Sequence, residues 1–297
     1  MLSIKDETFD GTFPYTPHYH QALGVAMHYV DEGQGEPIVM LHGDPTWGYL
    51  YRRIIPPLAT HYRCIVPDFM GMGKSDVPQT PFPYRLHHHI EHLEAVLLAL
   101  DLDAMTLVLH DWGGPVGLGF TTRHPDRIKR LVLMNTWGVA LWPGEPLGRI
   151  LMLIRSKRGE RFVLEKHGYL EPALVGTPHH PEHLTPTALR AYHAPFPTPE
   201  SRLALLCWTR DIVLHRTDPS YAEMARVEAA LDQFHATPVH LIWGMRDPVL
   251  PASVLHMWQR QYPQATTYEI AAAGHFLQED APEQVAHQIA MFIASHP

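Results

Sequence analysis

The chain is short of cysteine, of positive charge and of long apolar runs, and each shortage excludes a class of protein. Cys64 and Cys207 are the two cysteines among 297 residues, and they share no metal-ligand spacing. They read as inert thiols of a reducing compartment rather than as a disulfide framework. Against 31 Asp and Glu stand 23 Lys and Arg, a net charge of −8, so a phosphate-backbone partner is not expected. The richest basic patch, 155–161, reads as solvated helix surface. No run of 18 uncharged apolar residues occurs, and the opening MLSIKDETFD lacks the apolar segment of a signal peptide. The expectation is a soluble, cytoplasmic protein that binds neither membrane nor nucleic acid.

Two further motifs are incomplete. MGMGKSD, 70–76, lacks the glycine-to-lysine spacing of a phosphate-binding loop, and no dinucleotide fingerprint is present. The 23 histidines are scattered, and the run HHH at 87–89 puts its members on different faces of a helix. Neither a metal nor an organic cofactor is expected. No internal repeat is found, and the oligomeric state has no local code to read.

What is present is an alternation of strands and helices. VAMHYV (25–30) and PIVMLH (37–42), separated by DEGQGE, read as an early hairpin. YLYRRIIPPLA reads as a short helix and YRCIVPD (62–68) as the next strand. From Leu86, apolar residues recur at three- and four-residue intervals, as in an amphipathic helix. MTLVLHD (105–111) lacks polar alternation and reads as a central parallel strand covered on both faces. PVGLGFTTRHP continues as a helix, and RLVLMNT (130–136), VHLIWG (239–244) and TTYEIAAAG (266–274) supply further strands. The expected class is α/β, with a mainly parallel central sheet and helices on both faces. Between the strands, 138–230 breaks the pattern with prolines, histidines and short helical pieces. It is expected to be a helical cap domain inserted into a core domain of 1–137 and 231–297.

Chemistry concentrates at strand ends. In VLHDWGG, 108–114, a strand runs into a helix through a tight turn, the geometry that holds a nucleophile proud of the backbone. The residue so placed is Asp111, with Gly113 and Gly114 behind it and the backbone N–H of Trp112 at the helix start. A carboxylate there can displace a leaving group from saturated carbon, forming an ester that water then cleaves. The blander role is a helix cap. HGDPTW (42–47) brings the backbone N–H and side chain of Asp44 to the same sheet edge. GMRDP presents Asp247 after one strand and AGHF presents His275 after the last. An acid that fixes an imidazole, and an imidazole that activates water, complete the set in the order nucleophile, acid, histidine.

In HGDPTWGYLYR, VPDFMGMGKSD, LHDWGGPVGLGF, GMRDP and AGHFLQEDAP the sequence resembles the haloalkane dehalogenase family of α/β-hydrolases. The resemblance spans roughly 25–137 and 237–292. It implies Asp111 as nucleophile, His275 as base, Asp247 as its orienting acid, and Trp112 as the halide-binding tryptophan. The substrate implied is a small apolar haloalkane, with water as the second reactant. An acid after the preceding strand serves in some relatives, but here that stretch is NTWG, without a carboxylate. Asp44 departs from the family's usual asparagine, and an ionised carboxylate would repel halide. A second halide donor would then come from Trp137, Trp142 or Trp208, for each of which core packing is the other role. A β-lactone decarboxylase, an epoxide hydrolase using Tyr169 and Tyr192 as acids, and a silent binding module are the alternatives.

Overall fold

The central strands of this chain are buried along all or nearly all of their length, which only a sheet covered on both faces allows. A computed structural model describes residues 3–78, 84–144 and 149–297. The strands are β1 His18–Ala22, β2 Val25–Glu32, β3 Pro37–Leu41, β4 Arg63–Pro67, β5 Met105–Asp111, β6 Ile128–Thr136, β7 Val239–Gly244 and β8 Thr266–Ile270. They form one eight-stranded sheet in the order β1-β2-β4-β3-β5-β6-β7-β8. From β4 to β8 every pairing is parallel, and β2 alone runs against the rest. β5 is buried at every residue, as its uninterrupted apolar run requires.

The expected early hairpin is not formed. β2 turns back onto β1 through Leu23 and Gly24, both at positive φ, and its other edge pairs with β4 rather than β3. HYHQA, the sequence of β1, alternates half-buried and exposed positions on the sheet margin and so carries little apolar signal. The short helix expected at YLYRRIIPPLA is also split, into a 3-10 turn at Gly48–Tyr51 and a helix at Ile55–Ala59 that holds its prolines in the first turn.

Helices Leu86–Ala99 and Gly113–Arg123 pack on the sheet, as does the C-terminal helix Pro282–Ser295. Among the described residues between β6 and β7 no strand occurs. Helices Lys157–Leu164, Leu170–Gly176, Pro186–His193 and Leu203–Asp211 follow one another there, broken where the prolines stand. The parallel strands deliver the loops after β3, β5, β6, β7 and β8 to one edge, and the candidate site residues lie at those strand ends and on those loops.

Candidate active site

Asp111 ends β5 with φ +50°, a left-handed conformation that a non-glycine residue adopts only when its surroundings enforce it. The enforcement is visible behind it. A Cβ on Gly114 would collide with the Thr136 hydroxyl, and one on Gly113 with the Leu41 carbonyl, so the turn closes only over glycines. Thr136 donates its hydroxyl to the Asp111 carbonyl (2.6 Å). The Asp111 carboxylate then stands free of the sheet, where its Oδ1 accepts the backbone N–H of Asp44 at 3.0 Å.

The three residues expected to cooperate are together. His275 Nδ1 lies 2.8 Å from Asp247 Oδ2, and His275 Nε2 lies 3.5 Å from Asp111 Oδ2. Burial alone would raise Asp111, but the hydrogen bond and charge of His275 outweigh it and lower the carboxyl's pKa. Burial would likewise lower His275, yet the charge of Asp247 and its contacts with Asp111 push it up to about 10.

Support for this trio comes from residues the sequence did not single out. Asn135, at φ +35°, donates to Asp247 Oδ2 (2.7 Å) and accepts the Gly244 N–H (2.8 Å). The Val249 N–H donates to Asp247 Oδ1 (2.7 Å), so both oxygens of that acid are occupied. NTWG, read only for the carboxylate it lacks, thus supplies the amide that orients the carboxylate on the next strand. Asp280 accepts the backbone N–H groups of Gly274, His179 and His180 at 2.7–2.8 Å. The His275 N–H donates to the Thr177 carbonyl (2.9 Å). These bonds tie the loop carrying His275 to the helical segment above it.

A cavity of about 210 Å³ opens beside these groups, lined by Asp44, Asp111, Trp112 and His275 from the strand ends and by Trp142, Tyr169, Thr209 and Ile212 from the helical segment, with Trp137 just beyond β6. Among the described residues no arginine or lysine lines it. The tryptophans sort themselves by what their indole N–H groups do. Those of Trp47, Trp243 and Trp258 donate to backbone carbonyls. Trp112 and Trp137 meet edge to face at 5.0 Å, and among the described residues neither indole N–H has a protein acceptor. Trp208, a candidate second donor on sequence grounds, is buried and is not among the residues that line the cavity; among the described residues its indole N–H has no partner, and its ring stacks on His89 at 3.7 Å and lies 4.7 Å from that of Trp112. Trp142 does line the cavity.

The Asp44 side chain is in the same cavity and is 8% exposed. The Tyr169 hydroxyl donates to its Oδ2 at 2.6 Å, while its Oδ1 has no partner. Burial is the main cause that holds the Asp44 carboxyl well above the usual range; the Tyr169 hydrogen bond opposes it and the charge of Asp111 adds to it. Tyr192, paired with Tyr169 in the epoxide-hydrolase alternative, is elsewhere. Its hydroxyl donates to Glu279 in a buried cluster with Arg52, outside the cavity.

One group of potential metal ligands occurs among the described residues, His180, Glu182 and His183, whose ligand atoms lie within 4.8 Å of one another at the surface. The run 87–89 forms no such group; His89 faces Trp208 instead.

The α/β hydrolase fold family matches residues 36–282. Among relatives, a cis-3-alkyl-4-alkyloxetan-2-one decarboxylase of Shewanella oneidensis is 36% identical over 288 residues, covering 96% of this chain and 90% of its own length. A haloalkane dehalogenase of Sphingobium indicum is 34% identical over 278 residues, covering 91% and 92%. The solved structure of haloalkane dehalogenase DatA from Agrobacterium tumefaciens superposes with a TM-score of 0.83 at 30% identity, over 95% of this chain and 97% of that one.

Proposed function

Since the chain belongs to the haloalkane dehalogenase family of α/β-hydrolases, we propose that it hydrolyses the carbon–halogen bond of a small apolar haloalkane through an ester on Asp111. The observation that carries this reading is the pair of unclaimed indole N–H groups, Trp112 and Trp137, lining the cavity that holds the Asp111 carboxylate. Two unpartnered indole N–H donors on residues that share a cavity with a carboxylate, with no lysine or arginine among its described lining residues, suit a large soft anion departing from carbon.

The steps follow from the geometry. An Asp111 oxygen bonds to the carbon as the halide leaves with the bonding pair. His275, held by Asp247, takes a proton from water, and the hydroxide adds to the Asp111 carboxyl carbon. Backbone N–H groups of Asp44 and Trp112 hold the oxyanion, and the alcohol departs with the proton that His275 returns. In this reading 138–230 is the cap that keeps bulk water from the ester, and the reaction needs no metal or organic cofactor.

A second reading has its own support in Asp44 and in the decarboxylase relative. A β-lactone carries an oxygen leaving group that an acid at Asp44 suits. Attack of Asp111 on the ring carbon bearing that oxygen would open the C–O bond and leave a carboxylate on the neighbouring carbon. Loss of carbon dioxide then moves the C–C pair into the alkene and returns Asp111 as a carboxylate, without water. A panel of a 1,2-dibromoalkane, a short disubstituted β-lactone and an epoxide, assayed together for bromide, alkene and diol, separates these. Bromide release that disappears in D111A supports dehalogenation. Alkene alone would replace it with the second reading, and turnover persisting in D111A would remove both.

A further inference from the structure

We propose that Asp44 is a neutral carboxylic acid in the resting enzyme and that it gives its proton, as a hydrogen bond, to the leaving atom of the substrate. The choice of a halide as that atom rests on the dehalogenase reading; the protonation of Asp44 does not.

The argument starts from which oxygen is occupied. Tyr169 donates to Oδ2, so in the proposed state that atom is the acceptor and the proton is on Oδ1. Oδ1 is buried and has no protein partner. An ionised carboxylate with one oxygen buried and unpaired is among the most costly arrangements a protein can hold, and a neutral acid removes most of that cost. Of the groups facing Asp44, Asp111 favours the neutral acid, while Tyr169 and His275 oppose it without outweighing burial. Asp111 at the end of β5 is ionised, and the Asp44 backbone N–H already donates to it. Tyr169 reaches down from helix Leu170–Gly176 as its preceding residue, and His275 faces from the loop after β8. The charge of His275 is shared between Asp247 and Asp111, and no lysine or arginine among the described residues lines the cavity to hold a second anion. Burial and Asp111 both raise the acid, consistent with this assignment.

The objection that an acid in this position repels halide applies to the ionised form only. A neutral carboxyl is an O–H donor, equivalent in that respect to an amide, and Asp44 is one of the residues that line the cavity. With the indole N–H groups of Trp112 and Trp137 it makes a third donor around the departing atom. Tyr169 is then a positioning residue: it selects which Asp44 oxygen bears the proton.

Infrared difference spectra of wild type against D44N read the protonation state without any substrate. The carbonyl stretch of a protonated carboxyl should be present at neutral pH, vanish in D44N, and fade in wild type as the acid ionises on raising the pH. Bromide binding, followed by quenching of tryptophan fluorescence, reads the donor. Because the donor exists below the acid's pKa and is lost above it, wild-type affinity should fall about tenfold or more across the pH range in which the band fades. D44A should bind about tenfold more weakly at neutral pH, and D44N, whose amide restores an N–H donor, should rescue it and abolish the pH dependence. No band difference between wild type and D44N overturns the neutral acid. A band accompanied by bromide binding indifferent to pH overturns the donor role. If the substrate panel yields alkene instead of bromide, the infrared result stands unaltered and the same D44A and D44N contrast is read on lactone opening.

Discussion

At the scale of the residue, the state of His275 decides when hydrolysis can occur. Flanked by Asp247 and Asp111, its imidazole is pushed up to about 10 and is an imidazolium in the free protein at neutral pH. An imidazolium takes no proton from water. Forming the ester removes the charge of Asp111 and with it part of the field that holds the proton, so the base is released when there is an ester to cleave. H275A should therefore still be alkylated. On a bromoalkane it should release about one equivalent of bromide and then slow by roughly 10²–10⁴-fold, with the intact protein heavier by the alkyl group. Undiminished turnover in H275A, with no adduct, would remove His275 from the reaction. Asp111, Asp247 and His275 were legible in the sequence because each stands at a strand end or within five residues of one, and a parallel sheet sends strand ends to one crevice. Tyr169 was legible only as an isolated phenol. Its partner is 125 positions away, and nothing in the local sequence records how a helix will lie over a sheet edge.

At the scale of the element, the close approach of two loops sets the position of the attacking oxygen. Gly43 follows β3, and a Cβ on it would overlap the Asp111 carboxylate. G43A should then displace that carboxylate while leaving the β3–β5 pairing in place. A misplacement of this kind costs about 10²-fold in rate, so kcat/KM should fall by that order with little change in Tm. Wild-type activity in G43A would show that the carboxylate does not need its observed position. The elbow and its glycines were readable from VLHDWGG, since a tight strand-to-helix turn has few sequences. The order of the early strands was not. DEGQGE announces a change of direction after β2, but a turn signal carries no information about which strand is finally paired. β2 is joined to β1 and β4, and β3 lies beyond β4. The retreat of β1 to the sheet margin, where its side chains need not be apolar, hid it further.

At the scale of the whole molecule, the sheet edge carries Asp111, Asp247 and His275 and the helical segment supplies most of the apolar wall, so the proposed chemistry and size selection reside in different stretches of chain. The alternation of strand and helix revealed the first half of that division. The second depends on how Leu151, Pro172 and Ile212 come together from separate helices, which no period in the sequence encodes. The result is a cavity of about 210 Å³, whose walls bound the length of carbon chain that fits beside a halogen. Each methylene that finds room is worth roughly 1–3 kcal/mol, so kcat/KM across a series of 1-bromoalkanes should rise with length and then fall sharply once the wall is reached. Ile212 is 6% exposed and faces the cavity after helix Leu203–Asp211, remote in role from the charged groups. I212A should move the fall to longer chains and weaken the shortest substrates, with bromide affinity at the Trp112 and Trp137 indoles unchanged. If the cutoff stays where it was while the variant remains folded, the wall that limits the substrate is not the one this cavity presents.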